Sequence, residues 1–262
     1  IRGKKLGIIG YGNIGTQLSV LAENLGMQVC FYDVADKMAL GNACKCASLE
    51  ELLKESDFIS MHIDGRGANK NIIGKPEFEM MKRGAFFINV SRGSIVDESA
   101  LARALKSGKL AGAALDVLER EPTASHEFFS VPFQKLPNVI LTPHIGGSTE
   151  EAQENIGSFV ADKLRTYLEA GITSLSVNMP QVAMRGATQH HRITHLHKNI
   201  PGVLAKMNAI FAKSDINIEA QRLQTAGELG YVVTDVNKLC DMALIEALKA
   251  IPETIRLREI SL

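Results

Sequence analysis

Three short stretches of the chain carry side chains that could move a proton and hold an anion. Ser91-Arg92-Gly93 follows the apolar run 86–90, Asp116-Val117-Leu118-Glu119-Arg120-Glu121-Pro122 closes the run that starts at 111, and Thr142-Pro143-His144-Ile145-Gly146-Gly147 follows 139–141. An imidazole such as His144 titrates near neutrality and can shuttle a proton. A carboxylate such as Glu121 on its other ring nitrogen would fix the tautomer and favour the charged form. Arg92 could grip a substrate carboxylate with a planar fork while polarising the neighbouring carbonyl oxygen. These are the groups needed to oxidise a hydroxy acid. Taken singly, each has a structural reading: a surface ion pair for Arg92, a loop charge for Glu121, a satisfied core imidazole for His144. Together, at three strand ends, they read as one catalytic set.

A hydride acceptor would have to lie beside them, and the start of the chain provides for one. Gly10-Tyr11-Gly12-Asn13-Ile14-Gly15 follows the buried-strand run 6–9 and opens a helical pattern in which Ile14, Leu18, Leu21 and Leu25 recur, ended by Gly26. Gly10 permits a tight turn, Gly12 lets a pyrophosphate approach the backbone, and Gly15 lets helix and strand pack closely. Helix-terminal amides then face the phosphates. A second strand, 27–32, ends at Asp33, eighteen positions after Gly15, where a carboxylate can accept from an adenosine ribose. That carboxylate would repel a 2′-phosphate, so the pattern favours NAD over NADP.

The elements that must position these groups alternate. Helical patterns at 48–55, up to 82, and 99–107 separate strands at 58–62, 86–90, 111–117 and 139–141, which predicts an α/β, doubly wound parallel sheet with helices on both faces, to about residue 148. Ser148-Thr149-Glu150-Glu151 is a capping-box pattern opening a long helix with apolar residues Ala152, Ile156, Phe159, Val160, Leu164 and Leu168, stopped by Gly171. Residues 172–190 show no period and read as a linker, so 149–190 is a return helix and linker. From 191 to 262 the order becomes βαββαβ, a ferredoxin-like unit.

Composition excludes several classes. The 262 residues are 45% hydrophobic and 22% charged with zero formal net charge, so no bulk electrostatic pull toward nucleic acid or membrane is expected. No apolar run approaches a membrane span and no signal peptide opens the chain. Cys30, Cys44, Cys46 and Cys240 are too few and too irregular for a disulfide framework, which fits a reducing cytoplasm. Cys44 and Cys46 lack a second pair, and His191, His195 and His197, though on one face of a strand, read as structural or anion-binding, so no metal is expected.

The runs GIIGYGNIG, INVSRGSIVDESAL, AALDVLEREP and LTPHIGGSTEEAQENIG resemble the D-isomer-specific 2-hydroxyacid dehydrogenase family. The tail HLHKNIPGVLAKMNAIFAKSDINIEAQRLQT resembles the regulatory ACT domain carried by the phosphoglycerate dehydrogenases of that family. The resemblance implies that Arg92 binds and polarises substrate, His144 is the acid/base and Glu121 its orienting partner. It places Asn13 and Ile14 at the pyrophosphate, Asp33 on the ribose, Asp116 near the nicotinamide carboxamide, and Gly10, Gly12, Gly15, Val90 and Gly147 in the same NAD site. The implied reaction is oxidation of 3-phosphoglycerate to 3-phosphohydroxypyruvate, the first committed step of L-serine synthesis. His197, Asn199 and, across a domain interface, Asn217 match the positions that bind L-serine as effector, with Pro201 and Gly202 starting the helix after them, and a homo-oligomer, tetrameric in the family's manner, is implied. Two other readings remain open: another 2-hydroxy acid such as 2-hydroxyglutarate as substrate, or an NAD- and serine-binding protein without chemistry.

Three departures from the family pattern matter. The family builds its substrate lobe from a long N-terminal segment, whereas here the first strand follows only residues 1–5, so these residues are expected to be part of a longer dehydrogenase. His62-Ile63-Asp64 stands where many members have a proline, and the loop 65–71 is unusual, which affects the nicotinamide side. Gln189-His190 replaces a glycine pair before the regulatory domain, implying a stiffer hinge and weaker serine inhibition.

Overall fold

The computed structural model describes residues 1–122, 130–184 and 191–261. Gln189 and His190 therefore lie outside the described residues. The chain falls into two compact units, Ile1–Thr149 and Glu150–Leu262.

In the first unit, β1 (Lys5–Ile9), α1 (Asn13–Asn24), β2 (Gln28–Tyr32), β3 (Cys44–Lys45), α2 (Leu49–Glu55), β4 (Phe58–Met61), α3 (Lys75–Met80), β5 (Ala85–Asn89), α4 (Glu98–Lys106), β6 (Leu110–Leu115) and β7 (Val139–Leu141) follow one another. The strands form one parallel sheet in the order β3-β2-β1-β4-β5-β6-β7. The order reverses between β1 and β4, and such a switch point opens a crevice at the carboxyl ends of the strands. Alternation along β1 sends Ile9 to one face, against Leu52, Phe78 and Leu101 of α2, α3 and α4, and Leu6 and Ile8 to the other, against Ala22 of α1. Side-chain caps start two of these helices: Ser48 accepts from the amide of Glu51, and Asp97 from that of Ala100.

The apolar recurrence in α1 marks a helix but not the face it buries. Gly15, Ser19 and Ala22 meet the sheet, Leu18 is half-buried, and Ile14, Leu21 and Leu25 are exposed. A Cβ on Gly15 would stand 2.2 Å from the Gly10 carbonyl oxygen, so the contact face of this helix must be small.

The second unit holds α5 (Glu150–Ala170), β8 (His191–Lys198), α6 (Val203–Lys213), β9 (Ile218–Ala226), β10 (Leu229–Val236), α7 (Met242–Lys249) and β11 (Thr254–Ser261). The antiparallel sheet runs β11-β8-β10-β9, with Met207 and Phe211 of α6 and Leu244 and Leu248 of α7 packed on one face against Ile193, Val232 and Val236. This is the βαββαβ arrangement expected from the element order.

Residues 172–184 lack regular structure, as their sequence suggests, yet they are more than a connection. Val182 is fully buried against Tyr231 and Val233 on the second face of that sheet, and Thr173 is tied to Pro180 and Val182 by hydrogen bonds. The helix α5 ends at Gly171, whose positive φ of 67° glycine accommodates.

Candidate active site

Arg92, Glu121 and His144 leave the carboxyl ends of β5, β6 and β7, which are neighbours in the sheet. His144 Nδ1 and Glu121 Oε2 are 2.8 Å apart, so the imidazole donates from Nδ1 to the carboxylate and leaves Nε2 free for a reacting hydroxyl. Burial opposes the charge of Glu121, but the bonds from His144 and from the Leu118 amide outweigh it and hold the carboxyl below its usual range. Both side chains border a cavity of about 330 Å³ together with Leu118, Pro122 and Leu141.

His144 sits at φ 55°, in the left-handed region that side chains with a Cβ enter sparingly. Asp116 holds the loop around it. This buried carboxylate accepts from the Thr142 hydroxyl at 2.5 Å and from the amides of Ile145 and Gly146 at 2.9 Å each, so the loop carrying His144 hangs from the end of β6. Burial would raise the Asp116 pKa, yet these three donors and the nearby imidazole keep it lowered. The carboxylate expected at the nicotinamide carboxamide thus has a loop-holding role that spacing alone does not reveal.

The Arg92 turn is shaped in the same way. Buried Asn89 donates to the Arg92 carbonyl at 2.9 Å and accepts from the Ser91 amide and hydroxyl. The signal was the lone polar residue closing an otherwise apolar strand. Next to it, a Cβ on Gly93 would fall 1.9 Å from the Leu118 backbone, so the Arg92 loop and the Glu121 loop can touch only because residue 93 has no side chain. Arg92 Nη1 donates to the Ser91 carbonyl at 2.7 Å, and the guanidinium pairs with no carboxylate among the described residues. The structure therefore joins His144 to Glu121 directly, while Arg92 stands on the adjoining loop.

The glycine-rich turn divides its three glycines by function. Gly10, at φ 94°, could not carry a Cβ because the His62 carbonyl oxygen would lie 2.5 Å away. Gly15 lies against Gly10, and a Cβ on Gly12 would point into open space. Gly12 precedes α1 with no side-chain cap, and the first turn has no acidic residue, so this helix start offers an anion the amides that lack intrahelical partners. Asp33 Oδ2 accepts from the Tyr11 amide at 2.8 Å, fixing the turn to the end of β2.

Residues 1–146 match the family model described as D-isomer specific 2-hydroxyacid dehydrogenase, NAD binding domain. The chain belongs to this dehydrogenase family. Residues 193–256 match an AHAS small subunit-like ACT domain. The D-3-phosphoglycerate dehydrogenase of Haemophilus influenzae is 51% identical over 258 residues, covering 98% of this chain and 63% of the relative. That of Escherichia coli K12 is 51% identical over 261 residues, with the same shares. The chain thus spans about 63% of the length of these curated relatives. Among solved structures, the D-isomer specific 2-hydroxyacid dehydrogenase of Lactobacillus delbrueckii ssp. bulgaricus, in an NAD complexed form, has a TM-score of 0.57 at 30% identity, over 64% of this chain and 54% of that one.

For an NAD-binding member of the family, the open side of Gly12, the amides of the helix start and the Asp33 carboxylate form a cradle that fits a dinucleotide. Asp33 keeps acceptor capacity beyond its bonds to Tyr11 and Ala35, since a carboxylate has about four lone-pair sites. Val90 lies exposed just past β5, and Gly147 follows the His144 loop. Beyond β4, Asp64 is held by Arg66 and Asn69, and Arg66 lowers its carboxyl to about 2.

In the unit that matches an ACT domain, His197 is buried, its Nδ1 bonded to the Lys198 carbonyl and its Nε2 without a partner among the described residues. Asn199 bonds the Gly227 carbonyl, at the same end of the sheet. Asn217 is tied to Asn237 at the other end: His191 pairs with Val236, and Lys198 with Leu229. Seven strand steps of about 3.3 Å separate the two ends, roughly 23 Å. His195, by contrast, is committed, with Met207 Sδ on Nδ1 and Thr254 Oγ1 on Nε2.

Proposed function

We propose that this chain is the NAD-binding and regulatory part of a dehydrogenase that oxidises 3-phosphoglycerate to 3-phosphohydroxypyruvate, the first step of L-serine synthesis. The observation that carries this reading is the 2.8 Å His144–Glu121 pair, on a loop fixed by Asp116 at the same carboxyl-end edge of the sheet as the glycine turn. The identity to D-3-phosphoglycerate dehydrogenases over nearly the whole chain supports the choice of substrate.

NAD, when bound, supplies a hydride acceptor at nicotinamide C4. His144 takes the substrate hydroxyl proton at Nε2, and Glu121 stabilises the resulting imidazolium through Nδ1. Arg92 holds the carboxylate and polarises the adjoining oxygen. Gly12, Asn13 and Ile14 receive the pyrophosphate, Asp33 the ribose, and Val90, Asp116 and Gly147 border the nicotinamide side. In this reading residues 1–148 bind NAD, 149–190 are the return helix and its linker, and 191–262 regulate.

L-Serine is the effector in the same reading. The unpartnered Nε2 of buried His197 supports a ligand hydroxyl or carboxylate there. Because Asn217 lies at the opposite end of the sheet, a site using His197, Asn199 and Asn217 needs a second copy of the chain, which supports a homo-oligomer, a tetramer in the full protein. Four free cysteines are consistent with a reducing cytoplasm, and no described helix is long and apolar enough to cross a membrane.

The test is NADH oxidation with 3-phosphohydroxypyruvate, with and without L-serine, by the full-length protein and by this chain, each beside its His144→Ala variant. Turnover inhibited by serine and lost in the variant is expected of the full-length protein. Turnover that survives the substitution would overturn the acid/base assignment.

A further inference from the structure

Three thiols gather at the edge of the first unit, away from the turn that would hold NAD. Cys30 on β2 pairs in register with Cys44 on β3. Cys46 follows directly after β3 and shares a buried apolar cluster with Cys30. All three line one cavity of about 410 Å³, bordered by Lys5 and Gln28 at the amino ends of β1 and β2. The proposed cofactor groups stand at the carboxyl ends. Cys44 is exposed, whereas Cys30 and Cys46 are buried.

We propose that Cys44 and Cys30 are a modification site for hydroperoxides, closing to an intrachain disulfide while Cys46 remains a thiol. Neighbouring strands lie about 4.8 Å apart, inside the range of roughly 4.4–6.8 Å that a disulfide tolerates between Cα atoms. In-register Cβ atoms on parallel strands are slightly wider than the bond prefers. A bridge of that kind is strained and readily reduced, the property of a reversible one.

Exposure selects the order of events. The Cys44 sulfur, as thiolate, attacks one peroxide oxygen. The O–O bond breaks, the leaving oxygen takes a proton from solvent and departs as water (as the alcohol from an organic hydroperoxide), and Cys44 becomes a sulfenic acid. The Cys30 sulfur then attacks the Cys44 sulfur, the S–O bond breaks, and water departs with the Cys30 proton. The two sulfurs lose two electrons in total, and the peroxide takes up both. Cys46 is not the partner: two extended residues put its Cα about 6.6 Å from that of Cys44, at the far end of the disulfide range, whereas Cys30 pairs with Cys44 directly across the strands. Transient bridges of this sort are compatible with a reducing compartment.

The loop so closed spans residues 31–43 and has Asp33 near its start. It is already attached to the glycine turn, through Asp33 to the Tyr11 amide and through the Leu40 amide to the Tyr11 hydroxyl.

Trypsin makes the test direct, because Lys37, Lys45 and Lys54 put the three cysteines on separate peptides: 6–37, 38–45 and 46–54. The 262-residue chain is treated with equimolar hydrogen peroxide, alkylated, digested without reductant and examined by mass spectrometry. The expected product is 6–37 joined to 38–45, lighter by two hydrogens and released by dithiothreitol. Cys44→Ser should abolish it and Cys46→Ser retain it, with thermal unfolding of both variants confirming that they fold. Linkage of 6–37 to 46–54, over-oxidised Cys44 beside an alkylated Cys30, or three alkylated thiols would each overturn the proposal.

Discussion

Asp116 accepts the amide of Gly146 through one carboxylate oxygen and the amide of Ile145 through the other, each at 2.9 Å. His144 lies immediately before these two residues, so the position of the imidazole depends on a carboxylate that need not touch it. Asp116→Asn would turn an amide donor toward at least one of these N–H groups. Hydrogen bonds to a charged group are each worth about 1.5–3 kcal/mol, and their loss should free the loop. The expected result is a fall in kcat of at least tenfold, larger than any loss of NADH affinity read by fluorescence titration. An unchanged kcat would remove the loop-holding role.

Two glycines should respond in opposite ways. Gly93→Ala drives a Cβ into the Leu118 backbone at 1.9 Å, and overpacking of this severity costs about 3 kcal/mol, a Tm drop of several degrees. Gly12→Ala meets open space and an allowed φ of −87°, so Tm should stay put. The methyl would instead occupy the proposed pyrophosphate approach and weaken NADH binding tenfold or more. Calorimetry of both variants decides; a Gly12→Ala protein that binds NADH normally would contradict the proposed cradle.

How far the sequence could be read depended on the range of the interaction involved. The glycine turn and the βαββαβ order are local patterns, and they stand where expected. The face buried by α1 was not legible: the recurring leucines dominate the helical period, while the contact with the sheet is set by Gly15, Ser19 and Ala22 because the helix must approach closely. The roles of Asn89, Gly93 and Asp116 required knowing that β5, β6 and β7 are neighbours. Spacing along one chain does not supply that.

Buried His195 makes the second unit acid-sensitive. Desolvation, and secondarily His197, lower its pKa from 6.5 to about 4. The unfolded chain therefore binds a proton between pH 6.5 and pH 4 that the folded chain refuses, so stability is full above 6.5 and declines as pH falls through that window. At pH 5 the loss is about 2 kcal/mol. Burial lowers His62 to about 4 as well, which acts in the same direction on the first unit. Urea unfolding at pH 7.5 and pH 5, followed by a probe in the second unit, should show the drop, and His195→Asn should shrink it. Equal pH dependence in the variant would assign the effect elsewhere.

Arg192, fully buried on β8, forms a two-point pair with Asp235 at 2.6 and 2.8 Å and donates to the Ala170 carbonyl at 2.9 Å. One guanidinium thereby joins β8 and β10 to the last turn of α5, where Arg258 also donates to the Leu168 carbonyl. Asp235→Asn removes one charge of this buried two-point pair, which costs about 3–5 kcal/mol. The double replacement Arg192→Met with Asp235→Leu removes both charges and should be less destabilising than Asp235→Asn alone. It also removes the Ala170 tie, so hydrogen exchange at the end of α5 should quicken in the double variant even where its global stability recovers. Unchanged exchange there would show that the helix end is held by its other contacts, Tyr231 to Gly171 and Arg258 to Leu168, rather than through Arg192.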